Sequence, residues 1–197
     1  MSINRNILSV NKIRKSLNNN HKQSSGIDLI GYDRAGVLIP FFYLDDDWKV
    51  LFTRRTETLQ NHKGQVAFPG GAYEPGDTDL IQTALRESCE EIGLCSDETE
   101  VLGCLEDQIT VSNFRITPVV AYVDQPIQLV ISKDEVSRVF CIPLAWLANP
   151  DHRRNEVMIF PDGNEHEVIF YQLYDGELLW GVTASIVVQL LEVLNLS

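Results

Sequence analysis

The sequence predicts one layered domain of the α/β or α+β class. Three observations carry that expectation. Short β-like runs alternate with helical ones from about Gly26 onward. No segment recurs at a fixed period, which removes solenoids and propellers. The chain of 197 residues, 44% hydrophobic and 22% charged, has the length and composition of an ordinary globular protein. A chain of that size buries roughly 70% of the surface its unfolded form exposes, so it needs no disulfides to hold a core.

The elements follow in order. Residues 1–25 read as a basic, polar arm, helical in part and ending in the turn-forming stretch SLNNNHKQSSG, and 26–197 read as the domain. Gly36–Tyr43 and Trp48–Thr53 flank Asp45-Asp46-Asp47 as a hairpin. Gln65–Phe68 is a short strand stopped by Pro69-Gly70-Gly71. Residues 79–92 form a helix, with Leu80, Ala84 and Ser88 in one line and Leu85 and Ile92 beside it. Val101–Leu105, Arg115–Val123 and Val136–Ile142 are strands, and Pro143–Leu147 is a short helix with proline in its first turn. Asn155–Phe160, Val168–Leu173 and Leu178–Trp180 are strands, the last two joined by a hairpin turn at Asp175-Gly176. Thr183–Leu194 closes the chain as a helix that is apolar except along Ser185, Gln189 and Glu192.

Charge and cysteine usage remove several function classes. The net charge of −12 divides into +5 over residues 1–27 and −17 over the rest, and an acidic body repels a phosphate backbone, so nucleic acid is not the expected partner. The basic arm is either a solvated tail or a clamp for an anionic ligand. No apolar run approaches the roughly 20 residues that span a bilayer, and the first 25 residues lack the apolar centre of a secretion signal. A cytoplasmic protein with no membrane partner is expected. Cys89, Cys95, Cys104 and Cys141 contain no C-x-x-C pair and are expected as reduced, buried thiols.

The chemistry-bearing segment runs from Phe68 to Leu94: a strand, a glycine turn, a loop and a helix whose C-terminal half carries Glu87, Glu90 and Glu91. At 100° per residue these three acids share one side. Like charges gathered near a helix C-terminus repel each other and the macrodipole, so the arrangement calls for a cation. A hard divalent ion such as Mg2+, which takes carboxylate, water and phosphate oxygens, suits that donor set. Gly70 and Gly71 allow a sharp turn that brings a backbone carbonyl toward the ion. Arg86, four residues before Glu90 and nine after Asp77, is placed to pin the loop to the helix. Gly93 ends the helix directly after the acids.

This segment resembles the Nudix box: a glycine, five residues, Glu, seven residues, then Arg-Glu-x-x-Glu-Glu-x-Gly and an aliphatic. Arg86-Glu87-Ser88-Cys89-Glu90-Glu91-Ile92-Gly93-Leu94 matches the C-terminal half, although Ser88 replaces the usual aliphatic. Toward the N-terminus Asp77 stands where the box has Glu, and eight residues separate it from Arg86. That insertion and Asp are usual in the coenzyme A diphosphatase branch, whose second signature resembles Leu51-Phe52-Thr53-Arg54-Arg55 through Phe68-Pro69-Gly70-Gly71 in spacing. Thr56 replaces Ser or Ala there, and Gln60 stands where the branch has Arg, which removes a group suited to bidentate phosphate contacts. Ile116–Val120, Glu135–Leu144 and Trp180–Ala184 also resemble the branch.

The resemblance implies the Nudix fold, a mixed, twisted β-sheet sandwiched between α-helices, with the box helix and the C-terminal helix on opposite faces. It implies cleavage of a diphosphate bridge with water as nucleophile, using Mg2+ or Mn2+ to neutralise the polyanion. By the same resemblance Glu87 and Glu91 are metal ligands, with Glu90 and the Gly70 carbonyl as further ones. Glu90 ranks first as general base, ahead of Glu135, Glu165 and Glu167, and Arg86 supports the acids. Arg54, Arg55, His62, Lys63 and Gly71 form the expected substrate rim. The implied substrate is a small nucleoside diphosphate derivative, coenzyme A or its thioesters first. ADP-ribose or a dinucleotide is the alternative that Gln60 favours, and a non-catalytic Nudix-fold binding module is a third reading. A homodimer is left open.

Overall fold

The site is set up by two strands that part company. In the computed structural model, which describes residues 3, 8–21, 31–57, 63–124, 128–160 and 163–196, β1 (Asp33–Leu44) and β2 (Asp47–Arg55) pair antiparallel from Phe41↔Val50 to Leu44↔Asp47. Asp45 and Asp46 turn the chain at φ 55° and 57°, a conformation that short polar side chains tolerate. Away from the turn the strands diverge, and β3 (Val66–Ala67) and β4 (Gly70–Ala72) fill the gap. β3 pairs with β2 at Thr53↔Ala67, β4 pairs with β1 at Gly36↔Gly71, and the Leu38 amide donates to the Pro69 carbonyl between them at 2.8 Å.

The sheet continues through β7 (Phe114–Val123), parallel to β1, then β5 (Thr99–Cys104), with β6 (Gln108–Ile109) on β7 and β8 (Val136–Pro143) along the far edge of β2. Eight strands of mixed direction result. Alternation along them sends neighbours to opposite faces. Leu38, Phe42, Leu51, Val119 and Ala121 pack under α2 (Leu80–Ile92) with Ala84 and Ile92. Ile39, Phe41, Phe52 and Val120 pack on the other side with α3 (Leu144–Leu147) and α4 (Gly181–Val193), through Leu144, Ile186, Val187, Leu190 and Leu191. The expected sandwich, with the box helix and C-terminal helix on opposite faces, is present.

Three expectations need correction. Of the N-terminal arm, α1 (Val10–His21) packs against β5 and α4, and Ile3, Leu8, Ile13 and Leu17 belong to the core. Trp48 seals the junction, its indole N–H donating to the Leu8 carbonyl at 2.9 Å. The 25/26 boundary lies outside the described residues. Cys89 and Cys95 are joined as a disulfide, whereas Cys104 and Cys141 are free thiols. Finally, the turn at Asp175-Gly176 forms at φ 52° and 80°, but its flanks meet as isolated bridges, Tyr174↔Glu177 and Phe170↔Trp180. The ladder partner of β10 (Glu165–Tyr171) is β9 (Arg153–Ile159), in a separate two-stranded ribbon where seven residue pairs are in register. None of the described helices is long and apolar enough to cross a membrane.

Candidate active site

α2 is pressed onto β1 because Gly36 has no side chain: a Cβ there would lie 2.3 Å from the Leu80 carbonyl oxygen. The helix starts at Asp79, whose carboxylate accepts from the Gln82 amide at 2.8 Å, and ends at Gly93, φ 74°, whose amide donates to the Cys89 carbonyl. These two caps fix which residues face the glycine turn.

Arg86 is the hub. It meets Asp77 in a two-pronged contact, Nε to Oδ1 at 3.0 Å and Nη2 to Oδ2 at 3.1 Å, and Nη2 also donates to the Ala72 carbonyl at 3.1 Å. Its Nη1 donates to Glu87 at 2.8 Å and Glu90 at 3.2 Å. Asp77 is buried and further held by the Glu74 amide and the Thr83 hydroxyl. The Arg86 contact, which outweighs burial, keeps its carboxyl well below the usual range. The pinning of loop to helix expected from the spacing is thus realised.

Glu91 is buried, 3% exposed, under the glycine turn. Its Oε2 accepts from the Gly70 amide at 3.2 Å, and the Arg55 guanidinium lies 3.6 Å from Oε1. Burial pushes the Glu91 carboxyl up to about 7, against the pull of the Gly70 amide and Arg55. Glu87 sits where a Gly71 Cβ would be, 2.4 Å from its carboxyl carbon, and burial raises its pKa as well. Gly70 has φ 155°, and a Cβ on it would meet the Gly36 carbonyl at 2.4 Å. Gly70 is therefore required by its close approach to the β1 backbone, whereas Gly71 leaves open the space that the Glu87 carboxyl group fills.

Glu90 differs from its neighbours: its side chain is 57% exposed and is held by Arg86. Among the described residues no three carboxylate, thiol or imidazole groups are gathered as a ready metal cage. The expected convergence of three acids is reduced to Glu87 and Glu91 side by side. What fits a hard cation here is the donor chemistry: two oxygen ligands, both raised in pKa by burial, against a turn stripped of side chains.

The expected substrate rim is scattered. Arg54 is drawn off by Glu57 at 3.1 Å and by buried Glu177 at 3.5 Å, which Arg138 also holds at 2.9 Å. Arg55 instead faces Glu91, with its buried Nε lacking a hydrogen-bond partner among the described residues. Lys63 is exposed, and His62 and Gln60 lie outside the described residues. Of the more distant acids, Glu135 at the head of β8 adds its charge to the rise at both Glu87 and Glu91, and its carbonyl accepts from the Thr56 amide at 2.9 Å. Glu165 and Glu167 lie on the separate ribbon. Residue spacing did not disclose the backbone contacts to the end of α2, where Val130 and Ser132 amides donate to the Ile92 and Glu91 carbonyls at 2.9 Å each. Nor did it disclose the disulfide beside them.

A family model described as the NUDIX domain matches residues 33–183. The chain is 38% identical over 157 residues to the uncharacterized Nudix hydrolase NudL of Klebsiella pneumoniae subsp. pneumoniae, covering 80% of both chains. To the NudL of Escherichia coli O7:K1 it is 36% identical over 163 residues, 83% of both. Among solved structures, the fold resembles a MutT/nudix family protein from Enterococcus faecalis, with TM-score 0.51, 17% identity, and 91% of this chain and 73% of that one covered. It also resembles RenU, a Nudix hydrolase from M. smegmatis, with TM-score 0.50, 20% identity, and 60% and 74% covered. The model match over most of the chain and the two relatives agree with the Arg86–Leu94 motif and the sandwich that carries it: this chain belongs to the Nudix hydrolase family, which acts on phosphoric anhydride bonds.

Proposed function

We propose that the protein is a divalent-metal-dependent diphosphatase that splits the diphosphate bridge of coenzyme A or its thioesters, giving 4′-phosphopantetheine (or its acylated form) and adenosine 3′,5′-bisphosphate. The observation that carries the chemistry is the buried Glu91 carboxylate beside Glu87, each closed over by a glycine of the turn. In this reading Glu87 and Glu91 would hold Mg2+ or Mn2+, with the Gly70 carbonyl as a further ligand and Glu90 left outside the pair by its contact with Arg86. When bound there, such an ion would supply charge neutralisation for the diphosphate, the demand that dominates attack on a polyanion.

The chain's own groups supply the rest. Arg86 and Asp77 fix the height of the helix against the loop. Glu90, exposed and reachable by water, takes the proton from the attacking water, with Glu135 as the next candidate. Arg55 stands against Glu91 at the glycine turn, Arg54 sits in the Glu57 and Glu177 network, and His62, Lys63 and Gly71 are the further groups proposed to meet the substrate. The coenzyme A preference is supported by the spacing of Leu51–Gly71 and the extra residue between Asp77 and Arg86. Gln60 favours a second reading, in which the substrate is ADP-ribose or a dinucleotide, because the branch has a phosphate-pairing Arg there. A cytoplasmic setting suits either substrate class.

Product analysis tests both. Wild-type protein and Glu91→Gln are incubated with Mg2+ and, separately, coenzyme A, ADP-ribose, a reduced dinucleotide and nucleoside triphosphates. Release of adenosine 3′,5′-bisphosphate by wild type alone is the expected result. Turnover of another compound alone keeps the chemistry and overturns the substrate.

A further inference from the structure

The Cys89–Cys95 bond has no part in the chemistry above, yet it closes the end of the helix that carries Glu87 and Glu91. Cys89 falls between Glu87 and Glu91 in sequence but on the opposite side of α2, and Cys95 follows the Gly93 cap by two residues, with the two Cα atoms 4.4 Å apart. The bond therefore ties the last turn of the helix to the chain that leaves it. The same turn is held from the other side by segment 130–132, through the Val130 and Ser132 amides on the Ile92 and Glu91 carbonyls. That segment packs tightly against the cap: a Cβ on Gly93 would lie 2.8 Å from the Val130 nitrogen.

Segment 130–132 leads directly to the site. The Glu135 and Val136 amides donate to the Ser132 carbonyl at 3.1 and 2.8 Å, and Thr56, next to Arg55, hydrogen-bonds through its amide to the Glu135 carbonyl. Disulfide, helix cap, segment 130–135 and Arg55 form one connected frame around Glu91. Cys89 and Cys95 are both only half-buried, within reach of a small thiol, whereas Leu94 between the cap and Cys95 is fully buried and anchors the chain independently. Opening the bond thus loosens the frame and leaves the domain folded.

We propose that Cys89–Cys95 is a reversible thiol–disulfide exchange site whose oxidised state strengthens divalent-metal binding at Glu87 and Glu91. The metal half of this inference rests on the function proposed above. The partner is a dithiol, small or carried by another protein. Its thiolate attacks one sulfur of the bond, the other leaves as a thiolate and takes up a proton, and the second thiol of the reductant closes its own disulfide. Two electrons and two protons pass to Cys89 and Cys95, and the dithiol is oxidised. Coupling between two sites is reciprocal, so whatever factor the disulfide adds to metal affinity, the metal adds to the resistance of the disulfide against reduction.

The test uses the full chain and Mn2+ alone. Free Mn2+ is followed by electron paramagnetic resonance for the oxidised wild type, the wild type reduced with excess dithiothreitol, and Cys95→Ser with and without dithiothreitol. Alkylation after denaturation counts two thiols in the oxidised form and four in the reduced form. Reduction is expected to weaken Mn2+ binding about fivefold, the lower end of couplings between linked sites. Cys95→Ser is expected at the reduced value in both conditions. Saturating Mn2+ should raise the reduced-to-oxidised dithiol ratio needed for half-reduction by the same factor. Equal Mn2+ affinity in the two wild-type states, or four alkylatable thiols under every oxidising condition, overturns the proposal, and neither comparison depends on a variant folding. If no state binds Mn2+, the metal reading fails by itself. Amide exchange then decides the remainder: faster exchange at Val130 and Ser132 on reduction supports the exchange site and its coupling to the cap, and unchanged exchange overturns it.

Discussion

The Gly70 amide points at the Glu91 carboxylate, 3.2 Å away, from a turn that no other residue type could form so close to β1. One backbone donor and one guanidinium at 3.6 Å do not offset the burial of that acid, so its pKa rises from 4.5 to about 7. The folded protein then retains a proton that the unfolded chain releases between those values. Stability from this group is fully present below pH 4.5 and is lost as the pH climbs through 7, by about 3 kcal/mol in all. Urea unfolding of metal-free protein at pH 5 and pH 8 measures the loss. Glu91→Gln should show a slope shallower by that amount, and Mg2+ or Mn2+ should restore wild-type stability at the higher pH.

Asp77 contributes with the opposite sign. Its pKa is held far below the ordinary carboxylate range by Arg86, so its stabilisation is present above that range and disappears as acid protonates it. Asp77→Asn keeps the shape and removes the charge, leaving Arg86 attached to Glu87, Glu90 and the Ala72 carbonyl. Because those contacts remain, the cost should be about 2 kcal/mol, below the full cost of orphaning a buried charge. Calorimetry should show a melting temperature lower by roughly 4–8 °C. Turnover should fall as well, since Arg86 is then free to shift Glu87.

Ser88 gives the opposite change. It is fully buried on α2, and its hydroxyl has no hydrogen-bond partner among the described residues. Ser88→Ala removes an unsatisfied polar atom and improves helix propensity, and should stabilise the protein by about 1 kcal/mol. The measurement is the denaturant midpoint at unchanged slope. Metal binding should be unaffected, because the Ser88 hydroxyl makes no hydrogen bond to Glu87 or Glu91 among the described residues.

What was readable in the sequence divides along a physical line. Alternation at Leu38/Ile39 and Val119/Val120 reports which face each residue takes, and Asp77, Arg86 and Gly93 report contacts within one loop and one helix. These are local. The diversion of Arg54 depends on Glu177, more than a hundred residues away, and the pairing of Arg55 with Glu91 depends on how β2 meets α2. Ile13 and Leu17 mark an apolar stripe four residues apart, but the Asn and Lys around them dominate the composition, so a core helix reads as a tail. Cys89 and Cys95 carry no spacing signal because the left-handed turn at Gly93, rather than a fixed interval, brings them together.

Two glycine substitutions separate packing from site geometry. A Cβ on Gly36 would meet backbone, the Leu80 carbonyl oxygen at 2.3 Å and the Ala84 nitrogen at 3.0 Å, and neither can move without lifting α2 off β1. Gly36→Ala should therefore destabilise the fold by about 2–3 kcal/mol, as forced overpacking does. A Cβ on Gly71 would meet only the Glu87 carboxyl group, with contacts of 2.4 to 2.7 Å, and that is the far end of a flexible side chain. Gly71→Ala should leave thermal stability within about 1 kcal/mol of wild type, because Glu87 swings aside. Mn2+ affinity and turnover should nevertheless drop about tenfold or more, since the displaced acid no longer stands beside Glu91. Measuring melting temperature and Mn2+ binding on both variants checks the pair. If Gly71→Ala kept full Mn2+ affinity, Glu87 would not be a ligand and the glycine turn would serve packing alone.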